Sequence, residues 1–387
     1  MLKYYAADWL FPVNAAPIKN GVVAVNAEGE IIKLLSLQEA DPNELNIERY
    51  SGAIVPGFIN THCHLELSHM HNQIPEQTGL VEFVQSVIKS RQADEAQIQS
   101  AMAAADQQMF DHGIVAVGDV SNQIISREIK QKSKIYYHTF IEAMGFNPER
   151  AEVIMDYALQ IKAQFLPLPA TIVPHAPYSV SPKLFSLINR AIEKNDFISI
   201  HNQETSEEND FFISKQGNFL KLYEFLGMDI SFFQPTGKTS LQSWLPAIHH
   251  SKVLLVHNTQ TSQEDILFAK QNKLELYWCL CPQANLYIEN MLPDVDLFIK
   301  EDVKITLGTD SLASNHQLNI LSEMKTLQEK KFISFENLLR WATLNGAAFL
   351  NLDDQLGSIE VGKKPGLNLI QLSADFKIKS DVVVKLI

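Results

Sequence analysis

Eight short apolar runs, separated by long amphipathic stretches, constrain this chain more than any other feature. The runs are AIVPGFIN (53–60), IVAVGDV (114–120), IYYHTFIEAM (135–144), ATIVPHAP (170–177), FISIHN (197–202), KVLLVHN (252–258), LELYWCLCP (274–282) and KITLGTD (304–310). Short, nearly continuous apolar runs of this kind read as strands buried on both faces. The stretches between them, such as TGLVEFVQSVIKSRQADEAQIQSAMAAADQQMFDHG, repeat apolar residues at three- and four-residue spacing and read as helices. Parallel strands need such crossovers, so eight β/α units predict an α/β fold in the form of a (β/α)8 TIM-type barrel. A doubly wound open sheet is the alternative, but no Gly-rich turn of the dinucleotide-binding kind follows an early strand.

The two ends read differently. NGVVAVNAEGEIIKLLS (20–36) has the pattern of a hairpin, and the C-terminal LGSIEVGKKPGLNLIQLSADFKIKSDVVVKLI reads as short strands broken by Gly and Pro. The expectation is a small β-sandwich domain built from residues 1–55 and 357–387 beside a barrel spanning 56–356, a division that 387 residues can support. A net charge of −13 argues against nucleic acid or an anionic membrane as partner, since both need basic patches. A small-molecule substrate is the expected partner, and the sequence leaves a homodimer open. No secretory signal or membrane-spanning apolar stretch is read. Three cysteines, Cys63, Cys279 and Cys281, give no disulfide framework, so the expected location is the cytoplasm.

Polar residues at the C-terminal ends of barrel strands share one mouth. Here the first run is followed by His62 and His64, the fourth supplies His175, the fifth His201 with Glu204, the sixth His257 and the eighth Asp310. One buried histidine is ordinarily a hydrogen-bonded core residue; five at strand ends with an aspartate point instead to a metal site. His62 and His64 are two apart on an extended chain, so both side chains leave on one face and can converge on an ion. His62, His64, His201 and Asp310 supply the three or four N/O ligands of a catalytic divalent site. Glu204 enters as a proton carrier, whereas Glu207, Glu208 and Asp210 are expected to form a solvated helix start. His257 is either a further ligand or the group that orients the attacking water; the second role is preferred. Cys63 is expected on the opposite face from the histidines, Cys279 and Cys281 in the packing, and His249 and His250 at the far face.

PGFINTHCH, HNQE, LLVHNT, CPQAN and GTDSLASN, in that order, resemble the metal-dependent amidohydrolase superfamily, in its aminohydrolase branch of cytosine, guanine, S-adenosylhomocysteine and aminofutalosine deaminases and triazine hydrolases. HLELS with TGLVEFVQSVIKSR is similar to aminofutalosine-deaminase-like members. The resemblance implies one divalent metal, zinc or alternatively iron, on His62, His64, His201 and Asp310. It further implies that Asp310 takes a proton from water, Glu204 protonates a ring nitrogen and His257 holds the water, so that an exocyclic amine leaves as ammonia. Val173, Pro174 and His175 stand where binuclear relatives carry a bridging carboxylate or modified lysine, which implies a mononuclear site. HAPYSVSP (175–182) implies that His175 lies against a purine, and Glu142, Tyr178 and Trp278 are further candidates to line the pocket. His69 and His71 occupy the stretch where many relatives have an arginine. Two other readings stand beside deamination: hydrolysis of a cyclic amide or chloro-substituent, and a catalytically silent barrel acting as a binding module.

Overall fold

The first expected strand divides at Gly57. Upstream of it, β5 (Ile47–Pro56) joins β1 (Lys3–Leu10), β2 (Ile18–Lys19), β3 (Gly21–Val25) and β4 (Ile31–Ser36); downstream, β6 (Phe58–Cys63) opens the parallel strands. A Cβ on Gly57 would lie 2.3 Å from Val115 Cγ1 and 2.6 Å from the Pro365 carbonyl oxygen, so only glycine lets the chain pass between the two sheets there. The run 53–60 thus joins the end of one strand to the start of another, and apolar character alone does not reveal the break. The computed structural model describes residues 2–40, 46–193, 196–249 and 252–387.

The parallel strands continue as β7 (Ile114–Ser121), β8 (Tyr136–Ala143), β9 (Ala170–Pro174), β10 (Ile198–Asn202), β11 (Lys252–His257), β12 (Glu275–Leu280) and β13 (Lys304–Leu307). β6 to β9 bond side by side in one four-stranded sheet and β10 to β13 in another. The sheets meet at both edges: His201 N donates to the His175 carbonyl at 3.0 Å, and Thr309 N and Asp310 N both donate to the His62 carbonyl at 3.1 Å. Every residue of β6 and of β10 is buried, as expected where helices cover one face and the opposite strands fill the other. The strand ends are therefore also the seams where the two sheets meet, which brings residues 62, 175, 201 and 310 together.

The sandwich expected from the two ends takes the form of one continuous hydrogen-bonded sheet of seven strands. β14 (Leu367–Ile370) and β15 (Val384–Lys385) extend it in the order β15-β14-β5-β1-β3-β4, with β2 on β1. The N-terminal hairpin and the C-terminal strands are stitched together because β1 pairs parallel with β5, and β5 pairs antiparallel with β14. Period-two alternation gives the sheet two apolar faces, Tyr5, Ala7 and Val23 on one and Ala6 and Val22 on the other.

The long amphipathic stretch after the first parallel strand breaks into two helices, Leu80–Ser90 and Glu95–Asp111. Asp94 starts the second by accepting from Ala96 N at 2.8 Å, a cap that satisfies one of the open N–H groups of the first turn. That break leaves Arg91 just past the first helix. Among the described residues, no helix is long and apolar enough to cross a membrane.

Candidate active site

Three imidazoles and a carboxylate converge at the C-terminal ends of β6, β10 and β13. His64 Nε2 lies 3.1 Å from His62 Nε2 and 3.3 Å from His201 Nε2, and Asp310 Oδ1 is 3.6 Å from His62 Nε2 and 3.5 Å from His64 Nε2. His201 Nδ1 donates to the His175 carbonyl at 2.8 Å, which puts its proton on that side and leaves the Nε2 lone pair facing the cluster. Burial pushes the pKa of His64 down and that of His201 well down, in both cases reinforced by the neighbouring histidines, so these rings are neutral donors. Burial alone would raise the Asp310 pKa, but its hydrogen bond to His62 and the adjacent His64 and His257 outweigh that and keep it ionised. The imidazole nitrogens of His62, His64 and His201 lie close enough together to hold one ion, and with the Asp310 carboxylate beside two of them they form a donor set that fits Zn²⁺ or a similar cation. Asp310 and His257 adopt φ of 57° and 73°, a left-handed conformation uncommon for residues with a side chain, which aims both away from the strand direction.

Glu204 follows β10 and is buried, its Oε1 3.6 Å from His257 Nε2. Burial, then the charges of Asp310, Glu208 and Glu289, push its pKa well above the carboxylate range. Asn285, from the CPQAN motif, donates its Nδ2 to His257 Nδ1 at 3.2 Å, which places the ring proton on Nε2, toward Glu204. Above the cluster lies an open cavity, lined on its polar side by His64, Glu142, His175, Tyr178, His201, Glu204, His257 and Asp310. Tyr178 meets His175 edge to face at 5.9 Å, and Glu142 Oε2 accepts from Asn122 Nδ2 at 3.0 Å. Trp278 corrects the expectation that it lines the pocket: it is buried on β12 with its ring 5.3 Å from that of Phe298, packed against the helix Val295–Lys300, and is not among the cavity residues.

Residues 53–386 match the family model described as the amidohydrolase family. The chain belongs to that family. It is accordingly a hydrolase acting on carbon–nitrogen bonds. An adenosine deaminase of Helicobacter pylori is 25% identical over 335 residues, 84% of this chain and 80% of the relative. The structure of Helicobacter pylori aminofutalosine deaminase in complex with methylthio-coformycin has a TM-score of 0.81 at 20% identity, covering 97% of this chain and 93% of that one. An adenosine deaminase from Xanthomonas campestris with bound zinc has a TM-score of 0.73 at 21% identity, covering 96% of this chain and 85% of its own. Likeness at that identity concerns the fold, which is of the TIM-barrel type.

Several residues that hold the site of this amidohydrolase together are not legible as motifs. Glu208 corrects the expectation of a solvated helix start: it is fully buried, accepts from Gln203 N at 3.1 Å and from Ser240 Oγ at 2.5 Å, and its pKa is raised to about 7 by burial. It thereby fixes the backbone that carries Glu204. Asp119 accepts from Leu65 N at 2.8 Å, directly after His64, and pairs with the buried Lys130 at 2.6 Å. Cys63, Cys279 and Cys281 are buried free thiols, and His138 bonds Thr171 Oγ1 at 2.9 Å away from the cluster. His249 is exposed, and His250 lies outside the described residues.

Glu323 joins two of the motifs, accepting from Gln283 N and from Asn315 Nδ2, each at 2.8 Å, and burial raises its pKa from 4.5 to about 8. A carboxyl whose pKa is higher folded than unfolded favours the folded state below the unfolded value, and that advantage is lost as the pH rises through the folded value. The melting temperature should therefore fall between about pH 5 and about pH 9, and Glu323→Gln should flatten the fall. Scanning calorimetry of both proteins across that range is the check; parallel pH profiles would remove Glu323 as the cause.

Proposed function

We propose that this amidohydrolase is a metal-dependent deaminase that replaces the exocyclic amine of an adenosine-like purine nucleoside with oxygen and releases ammonia. In this reading the eight parallel strands close as a (β/α)8 barrel within residues 56–356, and residues 1–55 and 357–387 form a small β-domain beside it. His62, His64, His201 and Asp310 would hold one divalent cation, zinc or alternatively iron; when bound, it acts as a Lewis acid that makes water nucleophilic near neutral pH. The end of β9, Val173-Pro174-His175, offers no carboxylate to bridge a second ion, which favours a mononuclear centre.

The observation that carries the reading is the buried Glu204, its Oε1 3.6 Å from His257 Nε2 and next to the ligand cluster. Deamination of an aromatic ring needs an acid beside a ring nitrogen, because that nitrogen must take up an electron pair when oxygen adds to the carbon bearing the amine. Glu204 supplies the proton to that nitrogen. Asp310 accepts the proton of the attacking water, its Oδ2 held by Ser314 Oγ at 2.5 Å, and His257 Nε2–H orients the water. The carbon–nitrogen bond then breaks, and the amine leaves as ammonia with the proton relayed through the carboxylates. His175, Glu142 and Tyr178 border the space left for the base. The names of the relatives are those of deaminases, which supports the same chemistry.

Ammonia release from adenosine, 5'-deoxyadenosine, methylthioadenosine, S-adenosylhomocysteine, aminodeoxyfutalosine, guanine and cytosine tests this directly. Turnover of one or more of the adenosine derivatives, with guanine and cytosine inert, is the expected result. Activity confined to cyclic amides or chlorotriazines would replace the deaminase reading with the other hydrolytic one.

A further inference from the structure

β10 and β11 run in register as far as Asn202 opposite His257, and Glu204 lies just past that point. There the ladder gives way to isolated backbone bonds, Asn258 N to the Asn202 carbonyl at 3.0 Å and Gln260 N to the Gln203 carbonyl at 2.9 Å. Strand pairing alone therefore does not set the 3.6 Å between Glu204 Oε1 and His257 Nε2. Side chains must complete the join.

Gln203 stands between His201 of the cluster and the acid Glu204. It is fully buried, is not among the cavity residues, and takes φ of 47°, a left-handed conformation that a residue with a side chain keeps only where its surroundings hold it. Its carboxamide provides that hold. Nε2 donates to Asp265 Oδ2 at 3.0 Å and to Asn209 Oδ1 at 3.1 Å, while Oε1 accepts from Thr261 Oγ1 at 2.8 Å and from Asn202 Nδ2 at 3.4 Å. Both N–H donors and both lone pairs are in use, which is all that an amide can offer. Asp265 can only accept, so it fixes which end of the amide faces it.

The partners come from separate segments. Asn209 is on the helix Ser206–Ser214, Thr261 is in the loop after β11, and Asp265 is on the helix Gln263–Lys270. Asp265 is itself tied down, accepting from Ser262 N at 3.1 Å and from Thr239 Oγ1 at 2.5 Å. The carboxamide thus locks the loop that carries Glu204 to the loop that follows His257, and a fully satisfied buried network of this kind is rigid. Being uncharged, it does so without altering the field around the cation that the cluster would hold. A glutamate in its place would set a second carboxylate against Asp265.

We propose that Gln203 is a positioning residue that fixes Glu204 against His257, and that it governs the rate of the chemical step and not the binding of substrate or metal. The kinetic consequence rests on the deaminase reading; the fixed separation does not.

The test uses the metal-loaded full-length protein, with the adenosine derivatives named above as probes. Gln203→Met, which keeps the length of the side chain and removes its four bonds, is made in the wild-type and Glu204→Gln backgrounds. Misplacing a reacting group by about 1 Å costs on the order of a hundredfold in rate, so Gln203→Met should lower kcat by about that factor, with KM within about twofold and metal content near one ion per chain. In the Glu204→Gln background the same change should lower kcat by less than about threefold, since no acid is left to misplace. A loss of stability alone would lower activity equally in both. Crystal structures of wild type and Gln203→Met give a readout that needs no turnover: the separation of Glu204 from His257 should change by about 1 Å. Thr261→Val removes one of the four bonds, should lower kcat by about tenfold in the same cycle, and carries both readouts where Gln203→Met does not fold. An unchanged separation, an equal fall in kcat in both backgrounds, or a loss that lies in KM or in metal content overturns the positioning role while leaving deamination in place. No ammonia from any of the adenosine derivatives, with the separation altered in the variant, supports the positioning role and removes the deaminase reading; no ammonia and no change in separation removes both.

Discussion

Glu204→Gln should lower kcat by about three powers of ten while leaving the fold and the metal content unchanged. Burial and three nearby acids push the Glu204 pKa well up and favour its neutral form, for which an uncharged amide of the same shape is the nearest stand-in. Glu208, which accepts from the Gln203 and Glu204 amides, still holds the backbone in place. What the amide cannot do is give up a proton to a ring nitrogen and take one back for the leaving amine. The measurement is ammonia release under saturating substrate together with elemental analysis of the same preparation. A variant that kept more than about a tenth of the normal kcat would show that the proton reaches the ring by another route.

The alternation of apolar runs and helical stretches was enough to order the strands, because each parallel strand is buried on both faces and its composition carries that burial. The ends of those runs also carried the cluster. His62 and His64 sit where β6 ends, and Asp310 lies three residues beyond β13, so the geometry of parallel strands brings them to one mouth. Other features depended on which face a side chain takes. Trp278 lies in a run that is apolar throughout, and nothing in such a run tells whether an aromatic ring faces the mouth or the helix layer. Glu208 and Glu323 have acidic sequence neighbours or helical settings that suggest solvent, and their partners Ser240 and Gln283 lie far off in the chain. Asn285 was visible as part of a motif, but its contact with His257 needed the loops after β11 and β12 to be side by side. Gly57 shows the same limit: the apolar run continues across it, while the crowding by Val115 and Pro365 that demands a glycine is a tertiary fact.

Removing one imidazole from the cluster should have an effect as large as removing the acid, but by a different path. With His201→Ala, metal content should fall from about one ion per chain to about a tenth or less, and activity should fall with it, because a catalytic site of this kind has three or four protein ligands and no spare donor. His201 is the informative choice. Its Nδ1 is already committed to the His175 carbonyl, so its Nε2 can only face the cluster, and its loss leaves His62 and His64 without the imidazole from the opposite sheet. His138→Ala is the matched control: it too removes a buried imidazole, with a pKa lowered to about 3 by burial, but that ring bonds Thr171 and lies outside the cluster. If both variants kept full metal content, the cation would have to be bound elsewhere. If both lost it, the loss would reflect damage to the fold, which circular dichroism on the same samples would reveal. Loss in His201→Ala alone is the outcome that ties the metal to the meeting point of β6, β10 and β13.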